Sequence, residues 1–246
     1  MIDTNLQEIV SSPPLQVLYW KGVSDTVVVV FSGIGQIHEE QPPVEFFDSA
    51  TEGGRNHALF VSDISRSWLN HEGMDKKIIE AINYVSGRQG ISNISFIGNS
   101  MGGSIALFLR EIINVKSVLA FAPQYSIMHR LVPEERRWRR YRSKIVYHKY
   151  KSVTLSRDRG KGAFIVHGGS EDELAHALKF PQAAACRHFI LPECGHNLAS
   201  SLKKRGVLSK LVRASIHYKP YRFRRIIERE GGVLIKKFLI DRNIRE

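Results

Sequence analysis

Between Thr26 and Phe31 the chain reads TVVVVF, with no polar break after the opening threonine. A continuous β-branched run of this length predicts a strand buried on both faces. HALFVSD (His57 to Asp63) predicts a second strand. From Glu72 to Val85 the period changes, with Ile78, Ile79, Ile82 and Val85 at helical spacing. ISFIG is a short buried strand, and MGGSIALFLREII behind it reads as a helix. VKSVLAFAP, GAFIVHGG and CRHFILPECG supply three more strands. Strands and helices alternate with short links, which predicts an α/β fold: a mostly parallel, doubly wound sheet flanked by helices. LQEIV and LQVLYW, split by Ser-Ser-Pro-Pro, predict an antiparallel entry hairpin. No internal repeat or low-complexity linker divides the 246 residues, so they are read as one domain.

Two segments break the rhythm. Residues 123–162 form about 40 mostly polar, basic positions, far longer than an ordinary connection. They are expected to pack as a cap over the carboxyl edge of the sheet, anchored by Tyr125, Trp138, Tyr141, Ile145, Val146, Tyr147 and Tyr150. Residues 213–246 read as a basic amphipathic tail. Packing on the domain is the favoured reading, and contact with an anionic membrane surface the alternative.

Charge sharpens this picture. Residues 129–162 hold 12 Lys/Arg against 3 Asp/Glu, and residues 202–246 hold 14 against 4. The rest of the chain is acidic, although the whole carries a net charge of +12. Such asymmetry points to an anionic substrate or partner. No apolar run approaches the roughly 18 residues of a membrane span. The N-terminus lacks a basic start followed by an apolar stretch, and Cys186 and Cys194 fit no zinc spacing. These features predict a cytoplasmic chain with reduced thiols.

The chemistry concentrates at Gly98-Asn99-Ser100-Met101-Gly102-Gly103, between a predicted strand and a predicted helix. A serine hydroxyl needs a base to take its proton and a turn that projects it into a crevice. A sharp strand-to-helix turn with small neighbours provides the second condition. The plain alternative is a glycine-rich corner between core elements. The motif implies an acid and then a histidine, in that order along the chain. GSEDE follows one strand and ECGHN the next, which makes His196 the candidate base. Asp172 is favoured as the acid because it lies three residues past Gly169; Glu171 has the same offset from Gly168. The oxyanion of an acyl-transfer intermediate would be met by two backbone N–H groups. One is that of Met101, after the serine, and the other that of Ile34, in Phe31-Ser32-Gly33-Ile34-Gly35. A phosphate-binding reading of the same loop fails for want of the Lys-Ser/Thr pair or a third glycine.

FSGIG, GNSMGG, GSEDE and CGHN, in that order from about Thr26 to Leu202, resemble the α/β-hydrolase family. The resemblance implies an eight-stranded, mostly parallel sheet and a Ser-acid-His triad. It also implies ester, thioester or amide hydrolysis, with neither metal nor organic cofactor. The chain departs from the pattern at Ser32-Gly33, where many relatives carry His-Gly. SRSWLN and AFAPQYS resemble, more loosely, hydrolase-like proteins linked to bacterial surface-polysaccharide synthesis.

Arg66 and Trp68 follow the second strand at the edge where open α/β sheets bind ligands, and are the candidate substrate contacts. His38, His71 and His167 lie near other strand ends and are weaker candidates. The leading expectation is a serine esterase or thioesterase using Ser100, Asp172 and His196. Its substrate would be a small-molecule or carrier-linked acyl group. The basic segments suit an anionic glycan, a phospholipid or an acidic protein, and nucleic acid is disfavoured. Two alternatives stand beside it: a binding module for an anionic polymer with a vestigial triad, and an acyltransferase using the same triad.

Overall fold

The side chains of TVVVVF divide between two cores. Val27, Val29 and Phe31 enter one, and Val28 and Val30 the other. A strand with apolar groups on both faces must lie inside a sheet covered on both sides. The computed structural model describes residues 6–36, 40–156 and 162–242. Its strands are β1 (Gln7–Ser12), β2 (Leu15–Trp20), β3 (Thr26–Phe31), β4 (His57–Asp63), β5 (Asn93–Asn99), β6 (Ser117–Phe121), β7 (Ala163–Gly168), β8 (Cys186–Leu191) and β9 (Val233–Leu234). The helices are α1 (Phe47–Thr51), α2 (Met74–Gln89), α3 (Met101–Arg110), α4 (Arg139–Arg142), α5 (Glu171–Ala177), α6 (Leu198–Lys204), α7 (Leu208–Ile216), α8 (Pro220–Arg229) and α9 (Ile235–Asp241).

The strands form one mixed sheet in the order β1-β2-β4-β3-β5-β6-β7-β8-β9. From β4 to β8 neighbouring strands are parallel, while β1, β2 and β9 pair antiparallel at the edges. The resemblance implied eight strands. The ninth is β9, a two-residue strand whose brevity leaves no periodic signal in the sequence. One sheet face packs against α2 and α3, through Ile78, Ile82, Ile105 and Leu109. The other packs against α1, α6, α7 and α8, through Ala50, Leu202, Leu211 and Phe223.

Topology then decides where chemistry can occur. Strand order reverses at β3, which has β4 on one side and β5 on the other. Such a switch point opens a crevice at the carboxyl ends of the strands. Phe31 is in register with Gly98, and Asn99 with Phe121. The segments that follow β3, β5 and β6 therefore leave the sheet side by side at one level.

The basic segment from 213 packs against the domain as far as residue 242. Phe223 and Ile227 of α8 are buried in the second core, and α9 packs Phe238 and Leu239 against Ile190. Residues 243–246, at the end of the expected tail, lie outside the described residues, as do 157–161 of the expected cap. Among its described residues, the expected cap holds little regular structure beyond α4. Tyr125, Trp138, Tyr141, Ile145 and Tyr150 pack on the first core. Val146 and Tyr147, expected as anchors, instead face outward. They follow the end of α4 by only a few residues, where the chain has already turned off the core. No helix among the described residues is long and apolar enough to cross a membrane.

Candidate active site

Ser100 links β5 to α3 with φ 54° and ψ −120°, a strained conformation for a non-glycine residue. The turn is possible because its neighbours lack side chains. A Cβ on Gly98 would lie 2.1 Å from the Gly102 carbonyl oxygen, and one on Gly102 only 2.0 Å from that of Phe31. The Ser100 N–H donates to the Phe121 carbonyl at 2.8 Å. Its own carbonyl accepts the first helical bond, from the Ser104 N–H. Ser100 thus caps α3, and its side chain stands at the crest of the turn, only 4% exposed.

His196 follows β8 and spans the gap between two partners. Its Nε2 lies 2.9 Å from Ser100 Oγ, and its Nδ1 lies 2.7 Å from Glu173 Oε1. A carboxylate can only accept, so Nδ1 carries the proton and Nε2 is left to accept from the serine. The loop that holds His196 is tied to the acid's loop: the Gly169 N–H donates to the Cys194 carbonyl at 2.8 Å.

The acid against His196 is therefore Glu173, not Asp172 or Glu171. Helix phase explains the difference. Glu173, His176 and Ala177 are three or four residues apart on α5 and share its buried face. Asp172 lies one helical step away, with its side chain 41% exposed against 2% for Glu173. It accepts from Ser170 Oγ at 2.7 Å and pairs with Arg137 at 2.8 Å. Glu171 is exposed. His176 and Ala177 share that buried face, so the phase of α5 against the sheet turns position 173 inward.

A cap residue also reaches this acid. Arg137 Nη1 lies 3.1 Å from Glu173 Oε1, and its Nη2 lies 2.6 Å from Glu135 Oε2. Glu135 in turn faces His176 Nε2 at 2.9 Å, while His176 Nδ1 accepts the Tyr125 N–H at 3.1 Å. Burial alone would raise the Glu173 carboxyl. The hydrogen bond from His196, the nearby imidazoles and the Arg137 guanidinium together hold it at about 2. Burial likewise opposes ionised Glu135, but hydrogen bonds from His176 and Arg137 keep it well below the usual carboxylate range. None of Glu45, Gln124, Glu135, Arg137 or His176 stands out from sequence, because each acts through a partner distant along the chain.

His167, a weaker candidate for substrate contact, is fully buried. Its Nε2 donates to the Pro123 carbonyl at 2.8 Å, so Nδ1 accepts from His188 Nε2 at 2.8 Å. Protonating His167 would set two N–H groups face to face, and protonating His188 would place a proton on its Nδ1, which is buried with no partner among the described residues. Burial pushes His167 down to about 4 and His188 well below the usual imidazole range. In the unfolded chain both titrate near 6.5. The unfolded state therefore binds protons first, and stability falls as pH drops from about 6.5 towards 4. The depressed carboxyl of Glu173 extends the loss below about 4.5, its unfolded value. We expect urea titrations to give lower stability at pH 5 than at pH 7.5, by about 2 kcal/mol from His167 alone. A flat profile between those pH values would contradict this.

Gln124, after β6, bonds to Ser100 from the other side. Its Nε2 donates to Ser100 Oγ at 3.0 Å, and its Oε1 accepts the Trp68 indole N–H at 2.9 Å. Trp68 can only donate, which fixes the orientation of the amide. Trp68 is therefore buried behind the serine instead of lining an open cleft. Arg66 is buried too. It donates to the backbone carbonyls of Ile34, Glu40 and Ile64, and its guanidinium lies over Tyr141. It does line a cavity of about 610 Å³, with His71, Arg140, Tyr141 and Lys144. His38 lies outside the described residues.

The Ile34 and Met101 N–H groups donate to no other described residue. Met101 is the first residue of α3, where the N–H has no intrahelical acceptor. A Cβ on Gly33 would lie 3.2 Å from the Asn99 carbonyl, so the loop after β3 abuts the serine turn. Glu45 ties the two together. It accepts the Gly33 N–H at 2.7 Å and Asn99 Nδ2 at 3.2 Å. That bond occupies Gly33 and leaves the Ile34 and Gly35 N–H groups without an acceptor among the described residues. A second hollow, of about 390 Å³, opens beside this junction and is lined by Glu45, Asn99, Asn197, Lys203, Leu208 and Ser209 among others. Trp138 lies against His196, with ring centroids 6.1 Å apart. The buried Trp138 indole N–H has no acceptor among the described residues.

A parallel sheet with a strained serine turn after β5, and an acid and a histidine after β7 and β8, defines the class: the chain has the α/β-hydrolase fold. Solved structures agree. A capsule O-acetyltransferase of Neisseria meningitidis serogroup A superimposes with TM-score 0.57 at 12% identity, over 82% of this chain and 92% of that one. A lidless α/β serine hydrolase of Xanthomonas campestris gives 0.53 at 14% identity, over 85% and 94%. Est1E of Butyrivibrio proteoclasticus gives 0.52 at 14% identity, over 89% and 99%. No protein-family model and no curated relative matches the sequence.

Proposed function

We propose that the protein is a serine enzyme that cleaves an ester or thioester through an acyl-enzyme. The observation that carries this is the bridge of His196 between Ser100 Oγ and Glu173 Oε1, at 2.9 and 2.7 Å. Ser100 attacks the carbonyl carbon while Nε2 of His196 takes its proton. The Glu173 carboxylate stabilises the imidazolium and keeps its orientation. The oxyanion is met by the N–H groups of Ile34 and Met101, at the positive end of α3. The imidazolium then protonates the leaving group, and water repeats the cycle on the acyl-enzyme. Gln124 holds Ser100 Oγ before attack. The indole N–H of Trp138 supplies a donor for a substrate polar group. The two cationic segments favour an anionic or carrier-linked substrate.

One observation favours a second outcome for the same acyl-enzyme, transfer to a hydroxyl instead of water. Ser100 is only 4% exposed, and the Trp138 ring lies against that of His196, which restricts solvent at the pair. Transfer would match the reaction named for the Neisseria capsule enzyme. Product analysis with and without a sugar acceptor separates the two.

The reading as a whole is tested by a fluorophosphonate probe. We expect one label per chain, mapped by mass spectrometry to the peptide containing Ser100. A folded protein that stays unlabelled across several probes would instead favour a hydrolase fold used only for binding.

A further inference from the structure

The face built by α7 and α8 plays no part in the proposed chemistry. Both helices bury their apolar sides, Leu211 and Val212 on α7 and Phe223 and Ile227 on α8. The polar sides meet along a groove. Lys210, Tyr221, Arg222, Arg225, Ile226 and Arg229 line a hollow of about 560 Å³. Arg213, Ala214, His217, Lys219 and Arg222 line a second, of about 330 Å³. Arg222 lines both, so the hollows are neighbours.

Six Lys and Arg side chains therefore share one groove. Arg213 lies against Glu52 at 3.4 Å, as does the neighbouring His217 at 3.0 Å. Lys210, Lys219, Arg222, Arg225 and Arg229 make no ion pair with a described residue. Elsewhere on the same helix Arg224 pairs with Glu228, at 2.7 Å. Like charges held together without partners repel one another, and an anion laid along them removes that repulsion. Four of the six are arginines, whose planar forks match the oxyanion of a phosphate or carboxylate.

We propose that this groove binds a linear polyanion, a single chain bearing phosphate or carboxylate groups along its length. Shape selects a chain over a lipid surface. The site is concave and consists of two neighbouring hollows, whereas a bilayer presents a flat face. An interfacial helix also needs an apolar face directed at the lipid. Here Phe223 and Ile227 are buried, and the one fully exposed ring in the groove is Tyr221, at 85%. That ring lies among arginines, where it can cover the apolar face of a polymer unit. Binding in the groove requires no catalysis.

The test measures binding of the full chain to long-chain polyphosphate, to alginate as a carboxylate polymer, and to anionic phosphatidylserine vesicles, from 25 to 300 mM salt. Wild-type protein should bind at least one polymer, with the logarithm of affinity falling against that of salt with a slope of about −4 for five or six cations. The polymer preferred identifies the oxyanion. R222E/R225E changes only exposed side chains; it should weaken binding at least tenfold and reduce the slope by about 1.5. K76E/K77E, the same charge change on α2 across the sheet, should leave binding within about twofold. Fluorophosphonate labelling of R222E/R225E should match wild type, which separates this proposal from that for Ser100. The proposal is overturned if neither polymer binds at 25 mM salt, if both double variants lose affinity alike, or if only vesicles bind.

Discussion

Glu173→Gln is expected to lower kcat on an activated ester by about 10³- to 10⁴-fold, while Asp172→Asn stays within about threefold of wild type. The first figure follows the loss found when the acid of a Ser-His-acid triad becomes its amide. Here a specific aggravation is added. The substituted amide retains an oxygen that can accept from His196 Nδ1, so ring orientation survives. What disappears is the negative charge that offsets Arg137, whose Nη1 lies 3.1 Å from Glu173 Oε1. An uncompensated guanidinium beside the imidazolium opposes its formation during attack. Asp172 is a different case. Its pair with Arg137 is half open to solvent, and such pairs contribute little. Parallel kinetics on the two variants, with circular dichroism to check folding, decide the matter. A large loss in Asp172→Asn with a small one in Glu173→Gln would reverse the assignment.

Ser100→Ala is expected to have the largest effect of any single change, about 10⁶-fold in kcat. Loss of the nucleophile removes the covalent route entirely. What remains is stabilisation of the oxyanion by the two N–H groups, together with substrate binding. The variant should fold normally. Alanine is as compatible as serine with the turn, and the elements around it are held by the Phe121 and Ser104 backbone bonds. The change does leave Gln124 Nε2 and His196 Nε2 without their shared partner. Steady-state rates and the melting temperature, measured together, distinguish a lost nucleophile from a lost fold. A folded Ser100→Ala variant with more than about 1% of wild-type activity would rule out Ser100 as the attacking group.

The central strands β3 to β8 were legible because each is a short, nearly unbroken apolar run, and a sheet covered on both faces requires such runs. The serine and histidine that meet in the structure are the ones the strand-end motifs singled out. Their chemistry depends on local turns, and local turns leave local signatures such as GNSMGG. The acid was not legible in the same way. Three carboxylates stand in a row at 171–173, and which one faces inward depends on the phase of α5 against β7. Trp68 was expected at the substrate and lies behind the serine, because β6 delivers Gln124 between them.

The sequence by itself determined the alternating architecture, the order serine, acid, histidine, and the concentration of net positive charge in two segments. Each is written in contiguous residues, where period, spacing and composition act directly. Only the tertiary structure decided which acid touches His196, that Arg137 of the cap shares that acid, and that the cations of 210–229 line one groove. Those facts depend on helix phase and on strand order, which bring together side chains far apart in the chain. No local pattern encodes them, because the free energy that selects them comes from burying both faces of the sheet at once.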